Sequence, residues 1–209
     1  MDPHQEMVSR WQALKSELDQ VKLLAVSKYT PDEMVQVLID AGETEFGESR
    51  PQSLRDRAEK WPQCNWHMIG PLQKNKAKYI GRHAAMWHSC DDIATAEAVA
   101  RSVEGRVLPV LIQVNIAGNP NQRGVAPDKV AAFAHDLSQI EGLKLAGLMG
   151  MGPQGEGVRD AFRQLRSLRD NLFGGSFGEL CMGMSNDYRI AVEEGATIVR
   201  LGSMLFGSR

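Results

Sequence analysis

Short apolar runs alternate with amphipathic helical stretches along most of the chain. The first run, 21–28, is mostly apolar and ends at Lys28. A run of this length followed by Thr30 and Pro31 predicts a strand buried on both faces. Further strand-like runs follow at 44–47, 66–70, 85–89, 107–115, 143–149, 179–182 and 197–201. Residues 2–19 predict a leading amphipathic helix, because Met7, Trp11, Leu14 and Leu18 share one face.

The alternation of strands and helices predicts the fold class. Strands separated by helices pair in parallel through right-handed crossovers. Eight such units indicate a single (β/α)8 TIM-like barrel spanning 1–209, although the length is near the lower limit for that fold. A doubly wound open sheet is the alternative.

The first helix after the leading one has recognisable start signals. Thr30 is a good N-cap, Pro31 suits the first helical position, and Glu33 completes a capping box. The sequence therefore predicts a helix that begins at Pro31.

Composition narrows the class of protein. A formal net charge of −2 gives no case for a nucleic-acid or anionic-membrane partner, and Arg159, Arg163 and Arg166 are expected to form a solvated helix face. Cys64, Cys90 and Cys181 contain no CxxC pair, which favours reduced thiols over disulfides or a metal site. The N-terminus resembles no signal peptide, and no apolar run is long enough to span a membrane. We expect a cytoplasmic protein, by default a monomer.

Lys28 is the first candidate for chemistry. A lysine is costly in an apolar core but suits the C-terminal end of a strand, where parallel α/β folds open their clefts. The alternative is a lysine that extends from the strand end into water.

Two glycine- and serine-containing loops are the second candidate. They follow the last two predicted strands, at 183–187 and 200–203, where (β/α)8 barrels often bind phosphate. Glycine lets backbone N–H groups approach a ligand, and the first loop also opens a helix, whose N-terminus favours an anion. Ordinary turn and capping chemistry, with Ser185 or Asp187 as N-cap, is the alternative.

A ligand that needs an amine and a phosphate cradle is pyridoxal 5′-phosphate (PLP), whose aldehyde forms an imine with lysine. From residue 22 onward the chain resembles the pyridoxal phosphate homeostasis protein family. The motifs that carry this resemblance are LLAVSK, FGE, WHMIGPLQKNK, VLIQVN, GLMGM, GMSND and VRLGSMLFG.

The resemblance implies a PLP-binding barrel similar to the N-terminal domain of alanine racemase. It implies Lys28 as the imine lysine and Arg200 near the pyridine nitrogen. It places the strand end 67–70, with His67, and Asn75 near the cofactor mouth. It assigns the phosphate to Ser185, Gly202 and Ser203.

Arg200 bears on whether such a protein is catalytic. A guanidinium only donates hydrogen bonds, so it would keep the ring nitrogen unprotonated. PLP enzymes usually rely on a protonated nitrogen as an electron sink. Arg200 therefore favours a carrier, or at most a racemase. The alternative for Arg200 is a strand-end charge paired with a carboxylate.

Two departures from the family pattern stand out. The second loop has Ser49 and Arg50 where asparagine and tyrosine are common, and Gln122 occupies a position where lysine is common. A role of that second lysine could be absent, or could have moved to Arg123 or to a lysine of 74–78.

Three functions stay open at this point. The first is a non-catalytic carrier that holds PLP reversibly and supplies apo-enzymes. It is favoured because no second domain follows to supply an additional base. The second is a weak PLP-dependent amino-acid racemase. The third is a barrel enzyme whose Lys28 forms a Schiff base with a phosphorylated substrate. His67 and His88 are candidate acid–base groups, with a structural role at least as well supported.

Overall fold

Eight parallel strands close into a barrel in the computed structural model, which describes residues 2–207. Strand β1 pairs with β2 on one side and with β8 on the other, which excludes the open-sheet alternative. The predicted (β/α)8 barrel is thus confirmed. The strands are β1 (Lys22–Val26), β2 (Glu45–Glu48), β3 (Asn65–Met68), β4 (Met86–Cys90), β5 (Leu108–Val114), β6 (Leu143–Gly150), β7 (Glu179–Cys181) and β8 (Ile198–Leu201).

Helices precede the barrel and follow each of its strands. None of those in residues 2–207 is long and apolar enough to cross a membrane. The bounds are α1 (Pro3–Leu18), α2 (Asp32–Asp40), α3 (Pro51–Lys60), α4 (Ala77–His83), α5 (Ile93–Ala100), α6 (Val130–Ser138), α7 (Val158–Phe173), α8 (Tyr188–Glu193) and α9 (Ser203–Phe206). Short 3₁₀ turns at Lys74–Lys76 and Pro127–Lys129 precede α4 and α6.

The strands separate two apolar cores. Along β1, Leu23 and Ala25 belong to the large core beneath the helices, whereas Leu24 faces a small cluster inside the barrel. This is the two-residue alternation of a strand buried on both faces. The interior cluster is completed by Leu111, Met149, Cys181 and Ile198.

The predicted start of α2 is wrong. Pro31 keeps an extended ψ of 145°, so the helix begins at Asp32 without a side-chain cap. The amide of Thr30 instead donates to the carbonyl of Ser27 at 2.9 Å, which closes a turn after β1. Tertiary contacts to this turn override the local capping signals.

The arginines of α7 are solvated and also form ion pairs. Arg159, Arg163 and Arg166 all lie within 3.2 Å of the Glu194 carboxylate, which is buried at the end of α8. These ion pairs join α7 to α8, while the three arginine side chains stay 38% to 54% exposed, in agreement with the predicted solvated face.

Helix α1 packs against β1, α2 and α9, and a polar contact fixes it. The indole N–H of Trp11 donates to Glu43 at 2.6 Å, and Glu43 is almost fully buried. Glu43 also accepts the backbone amides of Thr44 and Glu45 at 2.8 and 2.9 Å. The indole therefore satisfies a carboxylate that water reaches poorly.

Replacing the indole of Trp11 should destabilise the fold more than replacing the indole of Trp61. W11F should lower the free energy of unfolding by about 1–3 kcal/mol, because it leaves a buried carboxylate short of one donor. W61F removes an indole bond to the neutral amide of Gln36 and should lose only about 0.5–1.5 kcal/mol. Urea denaturation of both variants measures the difference, and an equal or smaller loss in W11F would contradict this role for Glu43.

Candidate functional site

Lys28 and the β8–α9 turn line one cavity at the C-terminal mouth of the barrel. The cavity has a volume of about 470 Å³, within the range of about 300–1,000 Å³ typical of small-molecule sites. Its lining includes Lys28, Tyr29, Met34, Gly202 and Ser203. Barrel closure has brought the first strand end next to the last.

Lys28 lies in a strained turn. Residues 27–30 form the turn closed by the Thr30 amide, and Tyr29 has a φ of 61°. For an L-residue this left-handed conformation costs about 1–2 kcal/mol. Arg50 stacks its guanidinium on the Tyr29 ring at 4.7 Å. The departure at position 50 thus has a structural role beside Lys28.

The two glycine- and serine-containing loops meet at their hydroxyls. Ser203 Oγ donates to Ser185 Oγ at 2.9 Å, which joins the loop after β7 to the loop after β8. Gly183 has a φ of 95°, and a Cβ there would lie 2.6 Å from the Ala191 side chain. A Cβ on Gly202 would lie 3.2 Å from the Val26 carbonyl. Glycine therefore keeps both loops close to their neighbours.

Arg200 is a buried cation with no countercharge among residues 2–207. No carboxylate of these residues lies within 4.0 Å of its guanidinium, so within the described part of the chain it is not a paired strand-end charge. Its Nη1 and Nη2 contact Met149 Sδ at 3.5 Å and the Gly150 carbonyl at 3.4 Å, and its Nε has no partner among the described residues. A buried charge of this kind is costly unless a ligand or water compensates it.

His67 lies inside the barrel and does not line the cavity that contains Lys28. Its Nε2 is 2.8 Å from Glu45 Oε2, and its Nδ1 is 2.8 Å from Nε2 of His88. His88 Nδ1 lies 3.2 Å from Cys181 Sγ. A polar chain therefore crosses the barrel interior from β2 to β7.

Burial shifts the pKa values of two groups in this hydrogen-bonded chain, His88 and Cys181. Burial, together with the charges of His67, Arg200 and Lys22, lowers the pKa of His88 well below its usual value. Burial raises the pKa of Cys181 to about 11, so the thiol keeps its hydrogen. His88 is therefore neutral, and its two ring nitrogens, one a donor and one an acceptor, contact His67 and Cys181. These contacts and the bond from His67 to Glu45 make the chain a structural support of the barrel interior.

Glu45 was not identified in the sequence. Burial opposes its ionisation, but hydrogen bonds from His67 and Asn65 and the charges of His67 and Lys22 lower its pKa to about 2. The sequence did contain a signal for it. Glu45 stands two residues before Gly47 in a short strand-like run, and residues two apart in a strand share a face, which places Glu45 on the inward face of β2.

The remaining candidates lie around the mouth. Asn75 is exposed in the 3₁₀ turn after β3, and nothing places it in the cavity with Lys28. Arg123 forms a bidentate pair with Asp91 at 2.8 and 2.9 Å. The side-chain amide of Gln122 donates to the Met151 carbonyl at 3.5 Å.

Comparison with known proteins agrees with this architecture. Residues 4–209 match the family model described as alanine racemase, N-terminal domain. Together with the barrel and its lysine-containing mouth, this defines the class: a (β/α)8 barrel of the alanine racemase N-terminal type.

Several relatives identify the family more narrowly. The pyridoxal phosphate homeostasis protein of Aquifex aeolicus is 37% identical over 90% of this chain and 87% of its own length. That of Vibrio cholerae is 38% identical over 90% and 86%. PipY of Synechococcus elongatus, solved with PLP bound, is 34% identical with a TM-score of 0.86, covering 96% of this chain and 100% of PipY. The chain belongs to the pyridoxal phosphate homeostasis protein family.

The low pKa of Glu45 predicts a defined acid sensitivity. A carboxyl whose folded pKa is depressed stabilises the fold above its unfolded pKa, and this contribution is lost as pH falls toward the folded value. The stability advantage of the wild type over E45Q should be about 3 kcal/mol near neutral pH and should narrow by about 2 kcal/mol from about pH 6 to about pH 3.

Urea denaturation across this pH range measures the effect. E156Q, at an exposed glutamate, is the matched control and should leave the profile unchanged. A difference between wild type and E45Q that stays constant with pH would contradict the depressed pKa of Glu45.

Proposed function

We propose that this protein binds PLP and acts in intracellular PLP homeostasis as a reversible, non-catalytic carrier. The observation that carries the proposal is that Lys28 and the Gly202–Ser203 backbone line the same cavity. When bound, PLP supplies an aldehyde that condenses reversibly with a primary amine, and a phosphate that anchors it. The family relationship supports this ligand, since PipY binds PLP.

The residues present fit this ligand. Lys28 supplies the amine, and the hydroxyls of Ser185 and Ser203 supply donors for a phosphate. Gly202 has no Cβ, so no side chain at this position covers the backbone of the turn. Lys28 and Ser203 line one cavity, and Ser185, which is outside its lining, is bonded to Ser203. An amine and phosphate donors are therefore available to the two ends of PLP.

Arg200 supports binding rather than catalysis. It is a buried cation with an unsatisfied Nε, so an acceptor from a ligand would compensate it. Donation from Arg200 to a pyridine nitrogen would hold that nitrogen unprotonated, because a guanidinium has no acceptor for an N–H group and keeps its own protons near neutral pH. This arrangement would weaken the electron sink on which PLP enzymes usually rely, which favours a carrier, or at most a racemase.

We also propose a cellular compartment, an oligomeric state and partners for the protein. The protein would work in the cytoplasm as a monomer and pass PLP to apo-enzymes. Free thiols at Cys64, Cys90 and Cys181 suit a reducing compartment. His67 would support the barrel interior, and Asn75 would contact ligands only at the rim.

A visible absorption titration with PLP tests the proposal, with K28A as the decisive variant. Wild type should gain an absorption band that free PLP lacks. K28A should lose this band yet keep measurable affinity in equilibrium dialysis, because the phosphate contacts persist. K129A, at an exposed lysine before α6, is the control and should behave like the wild type. An unchanged band in K28A would assign the amine to another residue.

Loss of a phosphate donor should separate affinity from amine chemistry. S185A should weaken PLP binding about tenfold to a hundredfold, because a hydrogen bond to a charged group contributes about 1.5–3 kcal/mol. Its saturated spectrum should match that of the wild type. S167A, on the exposed face of α7, is the control. Equal affinity of S185A and wild type in dialysis would remove Ser185 from the phosphate site.

A further inference from the structure

Arg57 reaches from α3 to the turn that contains Lys28. Its side chain is 11% exposed and lies between that turn and the end of β2. No motif in the sequence singles it out, since it is one of several charged residues on a polar helix.

The guanidinium bridges both ends of the turn. Nη1 donates to the Ser27 carbonyl at 2.9 Å, and Nη2 donates to the Thr30 carbonyl at 2.5 Å. These residues flank Lys28 and Tyr29. A planar group with fixed donors can hold two carbonyls at a set separation, which a flexible ammonium cannot do.

Glu48, at the end of β2, holds the Arg57 guanidinium through an ion pair. Its carboxylate, 3% exposed, forms an ion pair with Arg57 Nη1 and accepts the Ser27 hydroxyl at 2.7 Å. The Ser27 amide also donates to the Gly47 carbonyl at 3.0 Å. The start of the turn is therefore tied to the end of β2 through backbone, hydroxyl and guanidinium.

Asp32 completes the arrangement on the solvent side. Its Oδ1 lies 3.3 Å from Arg57 Nη2, and its Oδ2 lies 2.7 Å from the Lys60 ammonium. Arg57 is thus held between a buried and a more exposed carboxylate, with its remaining donors directed at the turn.

The turn needs such support because Tyr29 is in the left-handed region, which an aromatic side chain rarely adopts. Strained backbone persists where surrounding contacts over-determine it. A relaxed turn would let the Lys28 amine sample directions away from the Gly202–Ser203 side of the cavity. If Arg57 served only to attach α3 to the barrel, its ion pair with Glu48 would be enough. The two carbonyl contacts would then not be needed.

We infer that Arg57 is a positioning residue for Lys28: through the Ser27 and Thr30 carbonyls it holds the strained turn in the geometry that presents the amine to a bound aldehyde. The inference rests on the proposed PLP binding and adds Arg57, with Glu48 as its support, to the residues that govern it.

The test compares covalent and non-covalent binding in R57Q, R57K and the wild type. The rate of the visible absorption change on mixing with PLP reports on the amine. Affinity for pyridoxine 5′-phosphate, which has a hydroxymethyl group in place of the aldehyde, reports on the rest of the site. R55Q is the matched control, because Arg55 lies on the same helix and pairs with Asp56 at the surface.

R57Q should slow the absorption change about tenfold to a hundredfold, the scale of a misplaced reacting group. Its affinity for pyridoxine 5′-phosphate should stay within about twofold, because Arg57 is not among the residues that line the cavity and this ligand has no aldehyde for the amine. R57K should be intermediate in rate, since it restores the Glu48 pair without bridging both carbonyls. R55Q should match the wild type.

Three results would overturn the inference: a wild-type rate in folded R57Q, a rate and an affinity that fall by the same factor, or a slowed R55Q. If R57Q fails to fold, as judged by circular dichroism, the same comparison is made with R57K. A wild type that forms no band with PLP would refute the proposed function itself, which distinguishes the two failures.

Discussion

Closure of the sheet between β1 and β8 is the constraint on which the site depends. The register that pairs Leu24 with Arg200 and Ala25 with Leu201 brings the end of the first strand beside the end of the last. Lys28 and Ser203, separated by most of the chain, then line one cavity. Because all strands run parallel, their functional loops meet at one end, where (β/α)8 barrels place their sites.

The barrel interior holds a charge that its own residues do not pair. Arg200 remains a cation without a carboxylate partner among the described residues, whereas His67, His88, Cys181 and Glu45 bond to one another. Those contacts leave the charge of Arg200 available to a ligand. The strained turn around Tyr29 adds a second form of preorganisation, because its contacts are formed before any ligand binds.

The sequence predicted the parts of this account that depend on local pattern. Apolar alternation located every strand, and the position of Lys28 after a buried run indicated the mouth. Local pattern could not show contacts that register creates between distant residues. The His67–His88 pair joins two strands. Arg57 bonds to carbonyls that lie 27 and 30 residues earlier in the chain. Glu194 forms ion pairs with arginines of another helix. The start of α2 was mispredicted for the same reason, since the turn before it is held by tertiary contacts.

We propose that the Lys28 amine is the group that holds PLP. The most direct test is borohydride reduction of the wild-type protein mixed with PLP, followed by proteolysis and mass spectrometry of the peptides. We expect one stoichiometric adduct, on the peptide containing residue 28 and at Lys28 itself. An adduct at a different lysine, or labelling spread evenly over the surface lysines, would contradict it.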